Sequence, residues 1–384
     1  MTSDPVQSAA QAGVAAWQRG DAAGARGAFQ TVVAAGRATP QLWLLLAQAC
    51  EQLGDTAATH AALDQVLAAD GRNLFALTMK GDLLTVAGDD RAAVAFYQLA
   101  LTNAPPLAEQ SADLRTRLAR AEVSTRAAAG RFAAHLDLQL DAAGVAPGAA
   151  GRRFAEALAI LNGTQAVYPQ QPTSFFYPRL PLIEFFDPAA FDWVAQLEAT
   201  VPEMQAELDA VLADGSALQP YVAASPDRPN RGHALLNDPK WSAFYLWQDG
   251  APTAAARRHC PATLAALEAA PLPRIAGRSP MALFSVLRPH THIPPHNGML
   301  NTRLICHIPL IVPDGCRLRV GNEVHHVEPG RAMIFDDSIE HQAWNDSDAT
   351  RVVLLFEIWR PELDASERAA LTALFEAIGE YPGA

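Results

Sequence analysis

Along the first hundred residues the apolar positions recur with a helical period, and the whole pattern restarts at a fixed interval. Gly20-Asp21, Gly54-Asp55 and Gly88-Asp89 stand 34 residues apart. Ala28, Ala62 and Phe96 keep that register, as do Phe29, Leu63 and Tyr97, and Val32, Val66 and Ala100. Each Gly-Asp separates two amphipathic stretches, such as 42–53 and 57–69, which predicts helix, tight turn, helix. The helical pattern continues from Leu107 to about Gly151, with Leu114, Leu118, Val123 and Phe132 as expected buried positions. It breaks near residue 166 at the polar, Pro-rich run Tyr168–Thr173. Phe191–Leu212 reads as one amphipathic helix and Ser225–Gly232 as a polar loop. From Met281 the period changes to two. Short runs at 281–287, 303–312, 316–320, 323–327, 331–335 and 351–359 are rich in Val, Ile, Leu and Phe. Turn signals fall at Pro313-Asp314-Gly315 and Glu328-Pro329-Gly330. Many short strands with frequent turns imply a sandwich or barrel.

A 34-residue helix-turn-helix period resembles the tetratricopeptide repeat, over about residues 7–106, with Trp17 and Trp43 at large aromatic positions. One such unit cannot bury its own apolar face, so three must stack, and stacked repeats form a concave groove. That groove has two open uses: to dock a peptide or protein, or to serve as a scaffold. The expected organisation is α + β multidomain: repeats over 1–120, a helical linker over 121–170, and a β-rich domain over 171–384.

Composition narrows the function classes. Of 384 residues, 50% are hydrophobic and 18% charged, enough apolar material for sizeable cores. The net charge of −12 argues against a general nucleic-acid binder and leaves room for a local basic pocket. The N-terminus lacks the basic-then-apolar pattern of a secretory signal, and no run approaches the roughly 20 apolar residues of a membrane span. Cys50, Cys260, Cys306 and Cys316 are scattered. The expectation is a protein of a reducing cytoplasm, without a membrane partner.

The candidate chemistry lies in the β-rich third. His290, His292, His296, His307, His325, His326 and His341 are seven of the chain's 11 histidines. His296 follows Pro294-Pro295, and His341 comes 45 residues later, after the turn-like Phe335-Asp336-Asp337-Ser338. Two imidazoles on opposing strands of a jelly roll, with Arg351 deeper in it, suit Fe(II) and 2-oxoglutarate. The metal keeps open positions, and the arginine grips the far carboxylate of the cosubstrate. The usual triad is His-x-Asp/Glu…His, but the third position here is Gly298. Water there would give a hydroxylase, and a halide would give a halogenase.

The stretch His290–Leu363 resembles the aspartyl/asparaginyl β-hydroxylase family. It carries, in order, Pro295-His296-Asn297-Gly298, Asn301-Thr302-Arg303-Leu304 with His307, Gly315-Cys316, Phe335-Asp336-Asp337-Ser338 with Glu340-His341, and Arg351 with Trp359-Arg360-Pro361-Glu362-Leu363. The likeness extends to Trp241–Trp247. It implies a double-stranded β-helix using Fe(II), oxygen and 2-oxoglutarate to hydroxylate the β-carbon of Asp or Asn, without a carboxylate ligand. His296 and His341 would be the iron ligands. Arg351 would hold the distal carboxylate of 2-oxoglutarate with help from Ser285, His307 would hydrogen-bond the cosubstrate, and Arg303 would face an anionic group. Ile305 departs from the family, where a second arginine stands. The substrate implied is a peptide or protein, docked by the repeats. A free or carrier-bound amino acid is the alternative, and a non-catalytic repeat adaptor is the rival from another class.

Overall fold

The computed structural model describes residues 4–145, 148, 150–214, 218–224, 232 and 234–381. The chain divides into two compact units, Met1–Thr164 and Gln165–Ala384.

The first unit is helical. Its pairs are α1 (Pro5–Gln18) with α2 (Ala22–Ala34), α3 (Pro40–Gln52) with α4 (Thr56–Ala69), and α5 (Leu74–Val86) with α6 (Asp90–Thr102). The repeated Gly-Asp explains each turn. Gly20, Gly54 and Gly88 hold φ of 79°, 70° and 79°, where a side chain is strained. Asp21, Asp55 and Asp89 then cap the second helix, accepting from the backbone N–H of Gly24, Ala58 and Ala92. A second register sets the helix crossings. Phe29 and Tyr97 are buried against the small residues Gly13 and Gly81, and at the same register positions Leu63 and Ala47 are also buried. The long α7 (Ala112–Ala142) packs on α5 and α6, followed by α8 (Arg152–Leu161). The expected domain edge at residue 120 falls inside α7. Leu114, Leu118, Ala121 and Ala128 form its buried stripe. Val123 lies off that stripe and Phe132 beyond its buried part, so both are exposed, at 62% and 47%, against expectation.

The second unit is a jelly roll. Its strands are β1 (Phe185–Phe186), β2 (Gln219–Pro220), β3 (Trp241–Gln248), β4 (Ala251–Pro252), β5 (Ala282–Leu287), β6 (Thr291–His296), β7 (Arg303–Ile311), β8 (Cys316–Val320), β9 (Glu323–His326), β10 (Met333–Phe335), β11 (His341–Asn345) and β12 (Arg351–Trp359). The large sheet runs β1-β10-β7-β12-β5-β3-β2, with β4 beside β3, and the small sheet runs β6-β11-β8-β9. All these pairings are antiparallel. Alternation gives the large sheet two faces. Phe244, Phe284, Cys306, Leu354 and Phe356 pack on the helices α9 (Val194–Ala199), α10 (Val201–Asp214), α11 (Ala254–His259) and α12 (Pro261–Leu267). Trp241, Leu283, Ile305 and Leu355 face the small sheet and its Ile293, Leu318 and Ala343. The last helix, α13 (Ala365–Gly379), starts on a capping box of Asp364 and Glu367.

Several expectations shift. The single helix 191–212 is broken at Thr200, because Pro202 has no N–H to continue the ladder and starts a new helix instead. Residues 225–231 of the expected polar loop lie outside the described residues. β6 and β11, the strands of His296 and His341, do not stand out as period-two runs in the sequence. All four cysteines are buried thiols. No helix among the described residues is long and apolar enough to cross a membrane.

A Cβ on Gly81 would come within 2.4 Å of the Tyr97 ring, whereas one on Gly27 would meet nothing within 4 Å. Gly81→Ala is therefore expected to destabilise the repeat unit by about 1–3 kcal/mol. Gly27→Ala is expected to stabilise it by about 0.5–1 kcal/mol. Denaturant unfolding of the two variants beside the parent checks both signs.

Candidate functional site

The inner faces of the two sheets enclose a cavity of about 660 Å³. His296, His341, Arg351, Ser285, His307 and Arg303 all line it, so the structure brings the six candidate residues together. The other four histidines of the cluster do not join them. His290 pairs with Asp348 at 2.8 Å, and His292 stacks on Trp344 at 5.2 Å. His325 lies 4.0 Å from the Phe185 ring, and His326 is an exposed residue of β9.

His296 and His341 are direct cross-strand partners, and their ring centroids lie 4.1 Å apart. Strict alternation along β6 would put His296 on the face opposite Ile293. A register shift between the His341 and Ala343 pairings inserts one extra residue on β6, at Pro294-Pro295, and brings His296 back inside. The Nδ1 of His296 lies 2.8 Å from the Pro294 carbonyl, and that of His341 lies 3.0 Å from the Ile339 carbonyl. A carbonyl can only accept, so each ring carries a proton on Nδ1, and the neutral ring has its lone pair on Nε2. That tautomer is the one that ligates a metal through Nε2.

The turn before His341 is built for rigidity. Asp336 is fully buried and forms an ion pair with Arg360 at 2.6 Å. It also accepts from the Ser338 N–H at 3.0 Å and from Gln170 at 2.8 Å. Burial raises its pKa against the pull of Arg360. Asn345 closes the other end of β11, donating to the carbonyls of Leu287, Arg288 and Ala349.

Gly298 occupies the position where a triad carboxylate would stand. A Cβ there would lie 2.0 Å from Oδ2 of Asp337. The Gly298 N–H donates to the Asp337 carbonyl at 2.6 Å, so the two backbones are already in contact. No side chain fits at 298 while Asp337 keeps its place. Among the described residues, no group of three or more His, Cys, Asp or Glu side chains has metal-ligand geometry.

On the large sheet, Ser285 and Arg351 share the inner face, and Trp241 Nε1 donates to Ser285 Oγ at 3.1 Å. Arg351 is 2% exposed, yet its Nε and one Nη find no partner. Burial pushes its pKa down to about 10. Nδ1 of His307 is likewise buried and unpartnered. Burial, Arg351 and His341 hold that ring well below its ordinary pKa, and therefore neutral. A buried guanidinium without a carboxylate is costly unless an anion completes it.

Arg303 differs from expectation. Its guanidinium is paired with Glu357 and lies 3.6 Å from Asp337, so its charge is already met inside the protein. Burial works against that charge, but Glu357 and Asp337 outweigh it and raise its pKa. Burial, opposed by Arg303, lifts the carboxyl of Asp337 to about 7. Sequence reasoning missed Glu357, Tyr221 and Arg278 as lining residues. Glu357 sits in an apolar strand, where a lone carboxylate was the available signal.

Residues 198–361 match the family model described as aspartyl/asparaginyl beta-hydroxylase. That match lies within the C-terminal unit, which is therefore similar to the aspartyl/asparaginyl β-hydroxylases over those residues. A Rhizobium tropici protein named ornithine lipid ester-linked acyl 2-hydroxylase is 37% identical over 188 residues, 48% of this chain and 63% of its own. The human aspartyl/asparaginyl beta-hydroxylase is 38% identical over 136 residues, 35% of this chain and 18% of its own. The human aspartate beta-hydroxylase domain-containing protein 2 is 33% identical over 214 residues, 54% of this chain and 55% of its own. The chain thus spans less than two thirds of each relative. The relatives share hydroxylation in their printed names and differ in substrate.

Burial first, then the charge of His296, pushes the His341 imidazole down to about 3 from 6.5, outweighing the bond to Ile339. Between those values the unfolded chain binds a proton that the fold refuses. The contribution to stability is complete above about pH 6.5 and lost as pH falls towards 3. His341→Asn is expected to flatten that loss. Thermal melts of metal-free protein across the window check it, and equal slopes for the two proteins would contradict the assignment.

Proposed function

We propose that this protein is an Fe(II)- and 2-oxoglutarate-dependent hydroxylase. The observation that carries the reading is the juxtaposition of a cross-strand His296–His341 pair, with Nε2 as the lone-pair nitrogen, and a buried Arg351 that lacks an anion. The donor set fits the groups. Imidazole suits Fe(II), and two ligands leave open positions for a chelating cosubstrate and oxygen. Doubly negative 2-oxoglutarate neutralises the metal without a protein carboxylate, which fits the closed position at Gly298. When bound, the iron and its cosubstrate supply the oxidising power to hydroxylate an unactivated C–H bond.

The chain's own residues bind, orient and exclude water. His296 and His341 would hold the metal, each fixed in tautomer by a backbone carbonyl. Arg351 would form a charge-assisted pair with the distal carboxylate of 2-oxoglutarate. Ser285 receives the Trp241 N–H and so turns its own hydroxyl proton towards that carboxylate. His307, held neutral, can donate or accept one bond there. Trp241, Ile293, Phe335 and Ala343 wall the site against water. Arg303 would act through Glu357 and Asp337, holding both carboxylates in place.

The substrate that the family's description names is an Asp or Asn side chain, here in a peptide or protein, with the repeats as a docking surface. A second reading, hydroxylation of an acyl chain, is favoured by the buried Ile305 in the cavity wall and by the name of the Rhizobium relative.

Anaerobic titration of Fe(II) and 2-oxoglutarate is expected to give a visible metal-to-ligand absorption band. His296→Ala is expected to abolish it, and Arg351→Gln to raise the 2-oxoglutarate concentration needed by about a hundredfold, as for loss of a buried charged pair. A parent protein with no band and no conversion of 2-oxoglutarate to succinate would end the hydroxylase reading. Mass spectrometry of Asp- and Asn-containing peptides then looks for the gain of one oxygen atom.

A further inference from the structure

A second pocket, of about 320 Å³, lies outside the catalytic cavity and shares no lining residue with it. It forms where the turn before α9, the segment after α12, the end of β12 and the start of α13 meet. Phe191, Trp193 and Trp359 supply aromatic walls, and Pro271 adds a further apolar one. The two tryptophans are each 8% exposed, so they are core residues that also line the pocket. Trp193 meets Phe191 and Phe356 edge to face, both at 5.9 Å, and its ring is therefore held in place before any ligand arrives.

Two opposite charges line this pocket and do not meet. Arg368 is half-buried in the first turn of α13, where a cation opposes the helix dipole and gains nothing from it. Its Nε is buried without a partner, and its side chain's one hydrogen bond runs from Nη2 to the Arg360 carbonyl at 3.3 Å. A buried donor left unpaired is costly unless a ligand completes it. Asp192 is exposed and stands just before α9, yet no side chain caps that helix, so its carboxylate is not committed there. Neither residue forms an ion pair among the described residues. Elsewhere on this unit such charges do close on each other: Arg274 reaches Glu268 at 2.5 Å and Arg331 reaches Glu198 at 2.9 Å. Here a cation and an anion share one aromatic-lined space and stay beyond ion-pair distance.

We propose that this pocket binds a free aromatic α-amino acid, with its carboxylate at Arg368, its ammonium at Asp192 and its ring against Trp193 and Trp359. Such a molecule carries both charges on one carbon, whereas a residue inside a peptide carries neither. The volume stands at the lower end of small-ligand sites, roughly 300–1,000 Å³, which suits one amino acid rather than a longer chain. A guanidinium fork matches a carboxylate, and the indole walls match a flat ring. The site goes beyond the hydroxylase reading and does not depend on it.

The test is a fluorine NMR titration of metal-free, full-length protein with para-fluoro-L-phenylalanine. The parent is expected to bind it in the millimolar range or tighter. The amide of the same amino acid lacks the carboxylate and should bind about tenfold more weakly, the scale of one charge-assisted bond. The para-fluorophenylpropionate ion lacks the ammonium and should lose about threefold, the scale of an exposed pair. Arg368→Gln should weaken the amino acid about tenfold and leave the amide unchanged, while Arg368→Lys keeps part of the preference. Asp192→Asn should weaken the amino acid about threefold and leave the propionate unchanged. A purely structural role for Arg368 would lower the melting temperature without changing the ratio of acid to amide. Should Arg368→Gln fail to fold, the lysine variant and the exposed Asp192→Asn carry the test. A parent that binds none of the three compounds at millimolar concentration, or binds all three equally, overturns the proposal. Binding that both Arg368→Gln and Asp192→Asn retain at the parent's strength also overturns it and assigns the amino acid to another site.

Discussion

The site depends on one cross-strand registration. His296 and His341 face each other because β6 carries an extra residue opposite β11, and that residue is forced by two consecutive prolines. Slide either strand by one position and its imidazole leaves the cavity, since side chains alternate between faces. Much of the surrounding structure holds that register. The Asp336–Arg360 pair and the Ser338 bonds fix the turn into β11, and Asn345 ties its far end to the carbonyls leaving β5. Gln170, from the segment leading into the sheets, joins the same knot through Asp336 and Asn301.

Legibility in the sequence followed the strength of the local pattern. The repeats were readable because Gly-Asp recurs for a reason that can be stated: a left-handed glycine followed by an aspartate cap. β5, β7, β8 and β12 were readable because they are apolar runs bounded by turn residues. The two histidine strands were not, because Thr291–His296 contains a proline pair and His341–Asn345 is mostly polar. Their strand character comes from partners far away in sequence. The density of histidines pointed to His296 and His341 where periodicity could not, and the likeness to a known family implied their role. Arg303 shows the limit of both routes. Its residue type suggested an anion partner from outside, and only the fold reveals that Glu357 and Asp337 already stand there.

The large sheet also separates stability from chemistry. One face is a plain hydrophobic layer covered by α9 to α12. The other spends much of its area on Arg351, His307, Ser285, Arg303 and Glu357, groups that gain little by burial without partners. The apolar layer behind them lets the polar face carry unpartnered atoms without loss of the fold. The long, low-charge strand β12 belongs to both, alternating Val352, Leu354, Phe356 and Ile358 with Arg351, Leu355 and Glu357.

The contact between Gly298 and Asp337 has a historical consequence. Replacing the glycine with aspartate would not by itself create a three-ligand iron site, because the new side chain would land on a carboxylate 2.0 Å from its first carbon. A lineage moving in that direction would have to shrink Asp337 and enlarge Gly298 together. A carboxylate at 298 is therefore two coordinated substitutions away, and the geometry of one turn sets that distance.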